Sequence, residues 1–300
     1  MPRATPIFAA LLAASAGIAL YSIMDAVMKG IGLVIGAYAA IFWRLVAGAA
    51  IMTPLFAFNK PRLPEPRVLR IHAIRSFVIA VMAIAFFWGI VRVPLAEAIA
   101  LTFIAPLIAL ALAAIFLKEK IGARSILGSL LGLAGVGIIL AGQLGAPHRP
   151  DSALGMVAVL TSAVFYAVNL VIARHQAQRA KPIEIAFFQN WIILAIFCVP
   201  APWLLVMPAP GQWWLVLLAA SLAIVSLLLL SWAYARAEAQ VLLTVEYTAF
   251  VWAAIMGWLF FHEPLTLLTV GGTLLIVAGC LMAARSKPGI AEPEVESALS

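Results

Sequence analysis

Apolar residues run along this chain in blocks of about 20, interrupted by short polar segments. A helix needs roughly 20 predominantly apolar residues to cross a hydrocarbon core of about 30 Å, so each block predicts one membrane span. Ten such spans are read, at 7–28, 37–58, 72–91, 95–115, 125–141, 155–173, 185–206, 212–232, 241–261 and 266–284. The longest connections, around 59–71 and 142–154, carry no apolar core, so no soluble domain is expected between spans. From Arg285 onward, Pro288, Pro293, Glu292, Glu294 and Glu296 give a composition that cannot bury a core. Residues 285–300 are therefore expected to form a disordered acidic cytoplasmic tail. The first span exceeds the apolar region of a secretory signal and nine more follow it, so it is expected to be retained.

Composition agrees. Of 300 residues, 65% are hydrophobic and 10% charged, against about 25% charged in a typical soluble domain. The net charge of +7 would suggest a nucleic-acid surface if the basic residues were clustered. They fall instead in alternate loops. With the N-terminus in the cytoplasm, 15 of the 19 Lys and Arg residues lie inside, three (Lys29, Arg92 and Arg149) lie outside, and Arg44 sits within a span. This positive-inside bias predicts cytoplasmic N- and C-termini and no nucleic-acid partner.

The chain also repeats itself. Displaced by 144 residues, Trp88 falls on Trp232, Arg92 on Arg236, Phe116 on Phe260, Glu119 on Glu263, Gly128 on Gly272 and Gly135 on Gly279. At 145, Tyr21 falls on Tyr166, Lys29 on Arg174 and Phe42 on Phe187. Five spans per repeat is an odd number, so the second repeat must cross the membrane in the opposite sense. The expected fold is an all-α membrane protein of ten transmembrane helices in two inverted five-helix repeats, 7–141 and 155–284. Inverted repeats are a frequent architecture of secondary transporters, with the substrate site near the midplane.

The stretch "RVPLAEAIALTFIAPLIALALAAIFLKEK" and its echo "ARAEAQVLLTVEYTAFVWAAIMGWLFFHEP" each lead into a glycine-bearing span. Across residues 7–284 the chain resembles the drug/metabolite transporter superfamily, specifically its EamA-type members. The resemblance implies a cavity lined mainly by spans 1, 3, 4, 6, 8 and 9, with spans 5 and 10 outside or at a subunit contact. It also implies transport of a small metabolite, with export of amino acids as first choice and vitamins or nucleoside-type compounds as the alternative.

Ionisable groups inside a membrane are costly and each is a functional candidate. Asp25 lies one turn beyond Tyr21 on the same helical face. It can serve substrate or ion, or else pair with Lys29 at a wet rim. Glu246, five residues into span 9, has the neutral Thr102 as its counterpart, and such a one-sided acid can attract a substrate ammonium or bind a proton. The opposing reading pairs Glu246 with Arg75 or Arg236. Glu97 opens span 4 three residues after Pro94 and is expected to stabilise the positive end of that helix. Arg44 is matched by Gln189, which fits a shared structural role, with a substrate carboxylate as the other reading; Glu119 and Glu263 are placed with the structural residues.

Tyr21, Tyr166 and Asn169 can hydrogen-bond a zwitterion while adding little fixed charge. Trp88 joins them as a substrate-binding candidate, although Trp is also enriched at membrane interfaces. Pro106, mid-span, should kink helix 4 and release the Thr102 carbonyl, which makes it a gating candidate. Pro200 and Pro202 bend or end span 7. The small residues of span 5, including Gly128, Gly132 and Gly135, allow close helix approach, read as packing within one protomer that is a monomer or weak dimer.

A membrane-embedded enzyme is the runner-up class, yet no nucleophile, metal cluster or phosphate cradle is evident. No Gly-rich loop ends in Lys-Ser or Lys-Thr. His72, His148, His175 and His262 have no zinc-ligand spacing and read as solvated or interfacial. Cys198 and Cys280 read as packing residues. No enzyme activity, metal or other cofactor is expected; the partners are the lipid bilayer of the inner membrane and a small-molecule substrate, with proton coupling open.

Overall fold

The computed structural model describes residues 4–58, 64–105, 107–108, 112, 123–144, 151–177, 179–234 and 248–284. Among these the regular structure is helical. The helices are α1 (Ala4–Ile35), α2 (Ala37–Phe58), α3 (Pro66–Ile90), α4 (Leu95–Thr102), α5 (Ala123–Leu144), α6 (Ser152–Ala177), α7 (Pro182–Cys198), α8 (Trp213–Tyr234), α9 (Thr248–Phe261) and α10 (Leu267–Ala284). A single helical turn, Ala201–Leu204, follows α7.

Among the described residues, five helical stretches are long and apolar enough to cross a membrane: Ala9–Ile35, Ala37–Phe58, Pro66–Ile90, Ser152–Asn169 and Pro210–Leu230. Ile126–Ile139, Pro182–Cys198, Thr248–Phe261 and Leu267–Gly279 are apolar but shorter. Large apolar side chains cover the outside of the bundle, among them Phe58, Trp203 and Leu267, each more than three-quarters exposed. A surface of that kind is stable against lipid, where apolar exposure carries no penalty.

Several boundaries differ from the sequence expectation for identifiable reasons. α1 runs to Ile35, seven residues past the expected end, because Lys29 is buried and carries the helix onward. It stops at Gly36, whose φ of +83° is the left-handed conformation that glycine adopts without a Cβ clash. α7 ends at Cys198, eight residues short of expectation, because Pro200 and Pro202 follow. Cys198 is exposed and not packed inside as read from sequence. α4 ends at Thr102, four residues before Pro106; Phe103 and Ile104 then turn back to the carbonyls of Ala100 and Leu101. Pro106, Glu119 and Glu246, all singled out above, lie outside the described residues.

The helices pair in a regular scheme: α5 with α10, α1 with α8, α3 with α6, α2 with α7, α3 with α7, α2 with α8, α1 with α9, α4 with α6 and α4 with α9. Advancing these pairs by five places returns the same set: α1–α8 becomes α6–α3, α2–α8 becomes α7–α3, and α1–α9 becomes α6–α4, whereas α1–α2 and α4–α10 have no equally close counterpart among the described residues. The glycines obey it too. A Cβ on Gly135 would stand 2.5 Å from the Gly272 carbonyl oxygen, and one on Gly279 would collide with the Gly128 carbonyl. Those glycines thus let α5 and α10 touch backbone to backbone within one chain.

Candidate functional site

α1 brings Tyr21 and Asp25 to one face, one turn apart, as their spacing requires. Arg44 arrives from α2, Arg75 from α3 and Tyr166 from α6. Tyr21 is close enough to Arg44, Asp25 and Arg75 for electrostatic interaction, Asp25 to Arg44, and Arg75 to Tyr166. Tyr21, Asp25 and Tyr166, chosen from sequence as binding residues, therefore share one neighbourhood, joined by two arginines. From sequence, Arg44 is expected in a structural role and Arg75 only as a partner weighed for Glu246. The Arg44 guanidinium stands 6.0 Å from the Phe87 ring, at the limit of a cation–π contact.

Arg75 is held firmly. Its Nε donates to Asn169 Oδ1 at 2.8 Å, and its Nη1 to Gln176 Oε1. Gln176 Nε2 and His72 Nδ1 lie 2.7 Å apart, and His72 Nε2 lies 3.1 Å from Glu184 Oε1. His72 is thus buried, stacked on Phe188, and bonded through both ring nitrogens; the reading of it as solvated is corrected. A polar chain of this kind in an apolar bundle satisfies every group it strings together, and leaving one out would strand the next. Sequence spacing held its signal: His72 and Arg75 lie on one face of α3, and Asn169 and Gln176, two turns apart, on one face of α6. Glu246, weighed above as a partner of Arg75 or Arg236, lies outside the described residues, as does Arg236.

A second cluster closes the end of α1 that the charge pattern assigns to the outside. Lys29, only 2% exposed, donates from Nζ to the Val93 carbonyl at 2.7 Å and to Glu263 Oε1. Glu263 Oε2 accepts the backbone N–H of Leu95, the first residue of α4, at 2.7 Å. The Phe261 ring centroid lies 5.1 Å from the ammonium. One carboxylate thereby fastens α1 to the start of α4 and to the α9–α10 connection. The Asp25–Lys29 pair weighed from sequence does not form, because Lys29 reaches across to Glu263. Glu97, buried in the first turn of α4, accepts a hydrogen bond from Thr269 Oγ1 at 3.2 Å and so ties α4 to α10.

Trp88 is 13 residues from Arg75 on α3, about 20 Å along the axis at 1.5 Å per residue, next to the Phe87 that lies near Arg44, and lines a cavity of about 640 Å³ with Tyr38, Arg92, Asp151 and Leu204. The Arg92 guanidinium covers its face at 3.4 Å, and Arg92 Nη1 donates to the Trp88 carbonyl at 2.8 Å. Its π face is already occupied. Among the described residues no group of three or more His, Cys, Asp or Glu side chains could hold a metal ion.

The comparisons with known proteins agree with this architecture. The EamA-like transporter family matches residues 7–141 and again 153–285. The pseudopaline exporter CntI of Pseudomonas aeruginosa is 30% identical over 274 residues, covering 90% of this chain and 93% of the exporter. An S-adenosylmethionine uptake transporter of Rickettsia bellii is 23% identical, covering 86% of this chain and 87% of its own length. A crystal structure at 20% identity shares the fold with a TM-score of 0.60, over 91% of this chain and 96% of that one.

Proposed function

Since this chain belongs to the EamA-like transporter family, we propose that it is a secondary transporter of the bacterial inner membrane that exports small metabolites, amino acids first, by alternating access. The observation that carries the reading is the set of charged side chains, Asp25, Arg44 and Arg75, gathered with Tyr21 and Tyr166 among helices otherwise apolar. Charge in a membrane interior is costly and marks a substrate or ion path.

Alternating access is supported by the five-place recurrence of helix contacts and by the doubled family match, which fit two inverted repeats rocking about a shared midplane site. With the N-terminus cytoplasmic, the Lys29–Glu263 clamp ties together the outer ends of α1 and α4 and the α9–α10 connection. Pro106 and the break after Thr102 supply a hinge in the fourth span. Tyr21, Asp25, Tyr166 and Asn169 are the binding residues in this reading, with Glu246 joining from the ninth span and Trp88 at the outer vestibule; Glu97 and Glu263 hold the scaffold, with Glu119 as the repeat counterpart of Glu263.

Nucleoside-type cargo is the second reading, favoured by the S-adenosylmethionine relatives. Purified protein in liposomes, offered labelled amino acids, vitamins and S-adenosylmethionine with and without a pH gradient, tests both. Uptake or exchange of an amino acid is expected, and silence across the panel would refute the transporter reading.

A further inference from the structure

Asp25 and Arg44 interact electrostatically without forming an ion pair; the ion pairs formed among the described residues are Lys29–Glu263 and His72–Glu184. Neither side chain makes a hydrogen bond to a described residue, and Arg44 Nε is buried without an acceptor. Arg75 differs, since Asn169 and Gln176 already take its donors. Within a protein interior an opposite-charge pair should close up, because attraction strengthens as the dielectric falls. An unpaired acid and base with a buried guanidinium N–H unused lack the two charges that a zwitterion carries.

The second repeat repeats the feature. Gln189, the counterpart of Arg44, buries an Oε1 that no donor reaches. Both positions flank the crossing of α2 and α7, where Gly48 faces the Asn190 side chain. Equivalent positions thus carry a donor lacking an acceptor and an acceptor lacking a donor.

We infer that Asp25 and Arg44 bind the two ends of a zwitterionic substrate, the ammonium on Asp25 and the carboxylate on Arg44, with Gln189 accepting a further N–H. This rests on the transporter reading and deepens it, because it makes Arg44 a specificity residue and requires both charges on the cargo. Asp25 alone would select amines, and Arg44 alone would select carboxylates; together, they select molecules carrying the two groups a short distance from each other.

The probes are the twenty labelled L-amino acids in liposome counterflow and, for each one exchanged, its carboxamide and its N-acetyl derivative. Wild type should show at least tenfold weaker apparent affinity for either derivative. Arg44→Gln should raise KM for the amino acid at least tenfold while changing that for the carboxamide less than twofold. Asp25→Asn should do the same with the N-acetyl compound as the insensitive one. Arg44→Lys, which keeps the charge, should restore discrimination against the carboxamide; it also serves if Arg44→Gln fails to run as a monodisperse peak in gel filtration. Equal losses for the acid and the amide in Arg44→Gln would overturn the inference alone. Exchange limited to uncharged or singly charged compounds would also overturn it while leaving the transporter standing, whereas no exchange of anything sinks both.

Discussion

Removing the Glu263 carboxylate should loosen the clamp at one end of the bundle, and the structure sets the size of the effect. Lys29 is 2% exposed, and its ammonium has the Val93 carbonyl, the Phe261 ring and Glu263 around it. In Glu263→Gln the side chain still reaches Leu95 N–H and Lys29, but as a neutral acceptor, so one charge-assisted bond becomes an ordinary one; the loss should be about 1.5–3 kcal/mol. Glu263→Ala takes this carboxylate away from the buried ammonium and leaves the Leu95 N–H without its acceptor, for which about 3–5 kcal/mol is expected. Lys29→Met in the Ala background removes the buried ammonium as well and should recover part of that loss, giving a coupling energy above about 1 kcal/mol. Unfolding in mixed micelles with rising SDS, followed by Trp fluorescence and circular dichroism, measures all four corners of the cycle. A Glu263→Ala protein within about 0.5 kcal/mol of wild type, or strictly additive single losses, would refute the view that this ion pair holds the three segments together.

The polar chain between α3, α6 and α7 should behave as a unit: Gln176→Leu strands both Arg75 Nη1 and His72 Nδ1, and a loss of about 2–4 kcal/mol in the same assay is expected, larger than for Glu184→Gln at the more exposed end of the chain. Gly135→Leu, whose Cβ would lie 2.5 Å from the Gly272 carbonyl, should separate α5 from α10 and cost about 1–3 kcal/mol or more; Gly137→Leu, with nothing within 4 Å of its Cβ, should stay near wild type, and the difference between the two melting temperatures tests the crossing. If the charge pattern sets the topology, a cysteine at Arg179 should react with impermeant maleimide only from the cytoplasmic side, and one at Gln212 only from the opposite side. Asp25→Asn and Glu246→Gln, assayed for transport across a range of pH, should each alter rate or pH profile; unchanged rates at every pH would remove that acid from the mechanism.

The order of spans, their apolar exterior and the repeat are written locally or at a fixed displacement along the chain. Lipid as solvent allows few solutions, because every backbone N–H and C=O must be satisfied within a span, so 20 apolar residues in a row already mean a helix. For the same reason Tyr21 and Asp25 were legible as one face: three to four residues along a helix is a fixed geometry. What the sequence left undecided is every partnership between helices. Lys29 has Asp25 one turn away and Glu263 234 residues away, and it takes the distant carboxylate because the bundle folds α9 and α10 against α1 and α4. Arg75 looked like loop charge, and His72 like a wet histidine, until α6 and α7 supplied Asn169, Gln176 and Glu184. A buried polar group is acceptable only if its partners arrive, and arrival depends on contacts between distant segments. The chain itself therefore determined which residues would be costly in a membrane; only the tertiary structure decided which were satisfied, as Lys29 and Arg75 are, and which, like Asp25 and Arg44, form no ion pair among the described residues.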